Sequence, residues 1–183
     1  LSDSLLHGTF QLVSIMTSTG FVTVDFSNWP TFLPVFLIIL SFFGACAGST
    51  GGGIKVGRML ILSKQSLREI YRLIHPNAVY SIKLRNRTVP ERVADGVWAF
   101  FGVYLAIFYF LVILLQLTGL DYLSAWSSTA AALNNLGPGL GDASAHYGEI
   151  NSIAKWLLSA AMIIGRLEIF TVLVLFTPMF WRR

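Results

Sequence analysis

Two short polar clusters ending in glycine are the first residues of this sequence that could do chemistry. Thr17-Ser18-Thr19-Gly20-Phe21 closes one moderately apolar stretch, Asp3 to Met16, and Asn134-Asn135-Leu136-Gly137-Pro138-Gly139 closes another, Asp121 to Leu133. Neither stretch reaches the roughly 20 apolar residues needed to cross a bilayer. Each has an aspartate near its start, which suits a helix N-terminus. A short helix that enters a membrane and stops midway directs its C-terminal end, with about half a negative charge, at the bilayer centre. A cation is stabilised there. Glycine lets the chain turn back with successive carbonyls facing one axis, and rings of carbonyls can replace a cation's hydration shell. The same composition also fits two outer loops carrying amphipathic surface helices.

A glycine run and a lone arginine come next. Gly48-Ser49-Thr50-Gly51-Gly52-Gly53 directly follows the apolar run Thr31 to Ala47. It is not a phosphate loop, because Ile54 separates Gly53 from Lys55 and Val56 follows. Gly44 with Gly48, and Gly53 with Gly57, have the four-residue spacing of close helix packing. Three consecutive glycines cost about 1 kcal/mol each inside a helix, so an unwound segment is the expectation. Arg166 lies about ten residues in from Trp156, near mid-bilayer, where a charge costs at least about 2.5 kcal/mol. Glu168, two residues on, falls roughly on the opposite helix face and cannot simply neutralise it. An acid on another helix, paired for assembly, is the competing reading for Arg166. Glu168 itself reads as a structural partner. His7, His75 and His146 lack ligand spacing, and no nucleophile–base pair is visible, so enzyme chemistry is not expected.

The elements that must position these residues are membrane helices. Of 183 residues 55% are hydrophobic and 12% charged, about half the charged share of a soluble domain. Disorder is excluded by this composition, and a disulfide scaffold by a single cysteine, Cys46, read as a packing residue. Val97 to Leu115 and Trp156 to Phe180 read as spans, the second interrupted in charge only by Arg166 and Glu168. Thr31 to Ala47 is a shorter, third candidate. Trp29, Trp98, Trp156 and Trp181 mark span ends. Nine of the thirteen Lys and Arg lie between Lys55 and Arg92, whereas Asp121 to Glu149 has none. The positive-inside rule therefore puts residues 55–92 and the C-terminus in the cytoplasm and the region around Asn134 to Tyr147 outside. The same cluster needs no nucleic acid to explain it.

Four motifs together, Thr17 to Phe21, Gly48 to Lys55, Leu133 to Gly139 and Gly165-Arg166-Leu167-Glu168, resemble in order and spacing the carboxy-terminal part of TrkH-type potassium-uptake subunits of the Trk/Ktr/HKT superfamily. The resemblance covers essentially the whole chain. It implies an all-α polytopic membrane protein built from membrane–pore-loop–membrane repeats of potassium-channel type, with re-entrant pore helices. Residues 1–75 would be the third repeat from its pore helix onward, through a second membrane helix broken at the glycine run. Residues 76–183 would be the complete fourth repeat. The first two repeats and the third repeat's first span are missing, so the chain reads as a fragment, and those repeats of the same polypeptide are its first partners.

The resemblance also assigns roles. Ser18, Thr19 and Gly20 would form one wall of a selectivity filter and Asn135, Leu136 and Gly137 another, contacting potassium through backbone carbonyls. With essentially one filter glycine per repeat, sodium rejection is expected to be moderate. Gly48, Ser49, Thr50, Gly51, Gly52 and Gly53 would be an intramembrane gate beneath the filter, with Arg166 reaching toward it and adding a positive barrier. Potassium would be the transported ion, taken up across the bacterial inner membrane. The implied partners are a second copy, membrane lipid and a cytoplasmic TrkA-type regulatory subunit that carries the nucleotide, leaving none on this chain. A non-conducting membrane anchor is the alternative function.

Overall fold

Two passages of similar design follow one another along the chain. The computed structural model describes residues 2–30, 32–44, 51–76, 78, 80–84, 87–144 and 146–182. Helix α1 (Ser2–Met16) runs into the first glycine turn, a loop with a 3-10 turn at Phe26–Asn28 leads back, and α2 (Leu33–Ser41) follows. Gly51 to Lys55 is non-helical, and α3 (Val56–Ile74) starts after it. The basic connector holds a two-residue ladder of β1 (Lys83–Leu84) and β2 (Arg87–Thr88), antiparallel, with Lys83 opposite Thr88. Then come α4 (Glu91–Leu117), α5 (Tyr122–Leu133), a 3-10 turn at Gly141–Ala143, α6 (Ser152–Arg166), α7 (Ile169–Leu175) and α8 (Pro178–Trp181).

Local chemistry sets several of these boundaries. The Asp121 carboxylate accepts from the backbone N–H groups of Leu123 and Ser124 and caps α5, and Asn151 caps α6 through Ile153 N–H. Helix α5 lies at the centre of the core. Ala125, Ala130, Ala131, Ala132 and Leu133 are fully buried, packed by α4, α6 and α2. Small side chains allow that close approach, as in membrane bundles generally. Aromatic rings fill the space around it: Phe108 meets Phe42 at 5.7 Å and Trp126 at 6.3 Å between centroids, both edge-on.

Among the described residues one helix, α4, is long and apolar enough to cross a membrane alone. The expected continuous helix Trp156 to Phe180 is corrected to two, α6 and α7, which together are long and apolar enough for one span but meet at a 106° bend. Glu168 has φ +62°, a left-handed conformation that no right-handed helix can continue through. Its carbonyl starts the next helix by accepting from Thr171 and Val172 N–H. The run Thr31 to Ala47 is likewise corrected, to a helix of nine residues that gives way to turn at Phe42; residues 45–47, Cys46 among them, lie outside the described residues.

Candidate functional site: two glycine turns and a broken helix

The two short helices end in the same way, hydrogen bond for hydrogen bond. In the first, N–H groups of Thr17, Ser18 and Thr19 donate to the carbonyls of Val13, Ile15 and Ser14 at 2.9, 3.1 and 2.9 Å. In the second, Asn134, Asn135 and Leu136 donate to Ala130, Ala132 and Ala131 at 3.0, 3.1 and 2.8 Å. This crossed pair of bonds is a Schellman termination, which needs a left-handed residue just past the helix. Ser18 and Asn135 supply it, each at φ +53°. Two residues later Gly20 and Gly137 are left-handed again, at +78° and +108°, while Thr19 and Leu136 between them are not. Alternating handedness turns successive carbonyls to one side of the chain, where an extended strand would point them to opposite sides. Asparagine tolerates the left-handed region; serine does so at a cost of about 1–2 kcal/mol. Among the described residues the Ser18 hydroxyl is buried without a hydrogen-bond partner.

The turns touch. A Cβ on Gly20 would lie 2.1 Å from the Leu136 carbonyl oxygen, so the two backbones meet where only glycine fits. In each passage a later glycine, Gly44 just past α2 and Gly165 within α6, approaches the end of the short helix in the same manner. A Cβ on Gly44 would sit 2.5 Å from the Met16 carbonyl oxygen, and one on Gly165 2.1 Å from that of Leu133. A Cβ on Gly52 would lie 2.5 Å from the Asn134 carbonyl oxygen, so the described end of the glycine run packs against the second turn.

Asn134 is the polar centre of this packing. Its Oδ1 accepts from the Tyr104 hydroxyl at 2.8 Å, its Nδ2 donates to Ser41 Oγ at 2.7 Å, and Ser41 Oγ donates to the Ile38 carbonyl at 2.6 Å. All three side chains are buried, so α4, α5 and α2 are joined by a buried hydrogen-bonded network. Outside, Tyr147 donates to the Gly137 carbonyl at 2.7 Å. Sequence reasoning missed Tyr104 and Tyr147. A hydroxyl inside the otherwise apolar stretch of α4 was the available signal for Tyr104; nothing local marked Tyr147.

A charged cluster occupies the break between α6 and α7. Glu168 accepts from Lys55 Nζ and from Arg58 Nη2, each at 2.8 Å, and the Arg58 guanidinium lies 4.1 Å from the centre of the Phe100 ring. Lys55, like Glu168, precedes a helix in a left-handed conformation, at φ +64°. The two helix restarts are thus tied to each other. Arg166, Gly51, Gly53, Lys55, Arg58 and Glu168 share the lining of a cavity of about 90 Å³, with three cations against one carboxylate. Among the described residues no hydrogen bond joins Arg166 to Gly51, Gly52 or Gly53; Gly48, Ser49 and Thr50 lie outside the described residues. All four basic side chains of α3 have partners within the chain: Arg58 as above, Lys64 on the Lys83 carbonyl, and Arg68 and Arg72 on Glu69 and Glu91. Leu60, Leu67, Ile70 and Ile74 of the same helix are exposed. Among the described residues no three His, Cys, Asp or Glu side chains converge as metal ligands.

Comparison with known proteins gives one consistent result. The family profile for TrkH, described as a cation transport protein, matches residues 1–183. The chain is 52% identical over 181 residues to the Trk system potassium uptake protein TrkH of Halomonas elongata, covering 99% of this chain and 38% of that protein. It is 55% identical over 173 residues to the TrkH of Escherichia coli K12, covering 94% and 36%, and 44% identical over 182 residues to the TrkG of the same strain, covering 100% and 38%. The crystal structure of the potassium transporter TrkH from Vibrio parahaemolyticus superposes with a TM-score of 0.92 at 54% identity, over 99% of this chain and 39% of that one. The chain therefore spans less than two fifths of the length of these relatives.

Proposed function

The chain belongs to the TrkH family of cation transport proteins, and from that premise we propose that it supplies two of the walls of a potassium-uptake pore. The observation that carries this reading is the matched pair of Schellman turns, each with left-handed residues at alternate positions, in backbone contact at Gly20 and Leu136. The carbonyls of Ser18, Thr19 and Gly20 on one side and Asn135, Leu136 and Gly137 on the other would stand in for water around potassium. Both short helices end at the turns and add the negative ends of their dipoles. Potassium is the cargo, and the chain does no covalent chemistry.

The gate is the run Gly48 to Gly53 with Arg166. Its support is the shared cavity beneath the turns and the excess of positive charge there, which opposes a cation until the run moves. Glu168 ties down the inner end of the run through Lys55. The outward apolar residues of α3 and the span α4 support contact with membrane lipid. Inner-membrane placement with the turns facing out, assembly with the preceding repeats and a second copy, and regulation by a TrkA-type subunit complete the proposal. The test is flux in vesicles carrying the complete subunit, counted per folded molecule. Potassium-selective uptake is expected, and Arg166→Ala is expected to raise it. Absence of selective flux would leave the chain a membrane anchor, and a fall with Arg166→Ala would end the gate assignment. The 183 residues alone are expected to pass no selective current, since two walls cannot encircle an ion.

A further inference from the structure

We propose that Tyr147 is a specificity-determining residue of the second turn, acting by holding and weakening the Gly137 carbonyl; this rests on the filter reading above. The geometry is direct. The Tyr147 hydroxyl donates to the Gly137 carbonyl at 2.7 Å. Its ring packs against the core, and the next residue is anchored, since Lys155 Nζ donates to the Gly148 carbonyl at 2.6 Å. The loop between them is bolted to α5 by two buried serines: Ser127 Oγ accepts from Leu140 N–H at 2.9 Å and Ser124 Oγ from Asp142 N–H at 2.9 Å. Gly139 N–H closes the loop on the Ala143 carbonyl at 3.1 Å. The hydroxyl is therefore presented by a rigid frame, not by a swinging side chain.

Two consequences follow for an ion. A carbonyl whose oxygen is tethered by a hydrogen bond to a fixed hydroxyl is less free to lean in and close around a cation smaller than potassium. A carbonyl that already accepts a hydrogen bond also offers a weaker field, and weak-field carbonyls disfavour the smaller, more strongly hydrated ion. Both act in the same direction, toward potassium over sodium. Among the described residues the first turn shows no such tie on its glycine. There Ser14 Oγ donates at 2.7 Å to the carbonyl of the residue after it, Phe21. Burial pushes the Tyr147 phenol up to about 12, so the hydroxyl keeps its proton, and its donor role, at any physiological pH.

The test measures the potassium-to-sodium preference of the complete subunit in vesicles for the parent, Tyr147→Phe, Tyr147→Leu and Gly20→Ala. The preference is a ratio and does not depend on how many molecules fold. Tyr147→Phe keeps the ring and removes only the donor; the ratio is expected to fall roughly threefold, the value of one ordinary net hydrogen bond, with potassium flux per folded molecule retained. Tyr147→Leu is expected to give the same fall or more. An unchanged ratio in Tyr147→Phe, with Gly20→Ala shifting it, would overturn the role of Tyr147 and leave the filter standing. An unchanged ratio in all three would overturn the filter reading and this inference with it. A loss of thermal stability in Tyr147→Phe without a change of ratio would assign the hydroxyl to loop structure and overturn the proposal.

Discussion

The two glycine turns share a backbone and almost nothing else. Thr17-Ser18-Thr19-Gly20 and Asn134-Asn135-Leu136-Gly137 have only the glycine in common, yet each closes with the same three hydrogen bonds and the same alternation of handedness. Their surroundings differ. Helix α5 is buried along its whole second half, whereas α1 exposes Leu5, Leu6 and Val13 to about the same degree as a surface residue, at 62%, 62% and 60%. The first turn is braced by its own helix, through Ser14 to Phe21 and Gln11 to Val24. The second is braced from a longer loop and from neighbouring helices, through Tyr147, Tyr104 and Ser41. Helix termination is local and repeats wherever a left-handed residue is allowed; bracing is tertiary and is free to diverge.

The largest expected difference lies between the glycines. Gly20→Ala meets a left-handed φ, worth about 1–2 kcal/mol, and a backbone oxygen at 2.1 Å, an overpacking worth about 1–3 kcal/mol more. Gly137→Ala meets only the φ, with no described atom within 4 Å of the added Cβ. Thermal unfolding of the purified variants should place Gly20→Ala well below Gly137→Ala; equal losses would break the distinction. Next come the residues that end the two helices. Asn134→Ala strands the buried Tyr104 hydroxyl, at about 1–3 kcal/mol for the group left unpaired, while Ser41 keeps its bond to the Ile38 carbonyl. Thr17→Ala loses bonds to its own turn alone, about 0.5–1.5 kcal/mol. Adding Tyr104→Phe to Asn134→Ala should recover part of the loss, and a full additive penalty would argue against the network.

Smaller effects probe the two helix restarts. Glu168 is 41% exposed, so Glu168→Gln is expected to cost no more than about 1 kcal/mol, while releasing Lys55 and Arg58 together. Flux per folded molecule should change, upward where loss of the tether dominates and downward where the added positive field does; unchanged flux would separate this pair from the gate. The smallest effect is the pH dependence of the loop brace. Tyr147 is raised from its ordinary value of 10.0 to about 12 by burial. Its stabilising share is whole below pH 10 and is lost as pH climbs through about 12. Alkaline melting curves should converge for the parent and Tyr147→Phe across that window. The first turn, held by Ser14, has nothing that titrates there, so Ser14→Ala should stay offset by a constant amount.

Much of this was legible in one dimension because its causes are short-range. Aspartate before a moderately apolar run and glycine after it placed α1 and α5 within a residue of their observed ends. Nineteen uncharged residues marked the core of α4, since crossing hydrocarbon is a matter of length and polarity. Arg166 and Glu168 stood out as charges in an apolar segment, but helix periodicity is not what keeps them apart: Glu168 lies past the end of α6, and its carboxylate is taken by Lys55 and Arg58. The glycine repeat announced an irregular backbone for the same reason, the cost of glycine in a helix.

What only the tertiary structure decided are facts about pairs of residues far apart in the chain. Glu168 breaks its helix at a place where no proline or glycine demands it, because Lys55 and Arg58, more than a hundred positions earlier, offer its carboxylate two partners. Gly20 is obligatory through the Leu136 carbonyl, and Gly165 through that of Leu133. Asn134 is a structural hub because Tyr104 and Ser41 converge on it. Composition and periodicity determine which segments leave water and where helices start and stop, since those free energies are set by neighbouring residues. Which carbonyl meets which hydroxyl depends on how the helices pack, and packing is a property of the assembled fold.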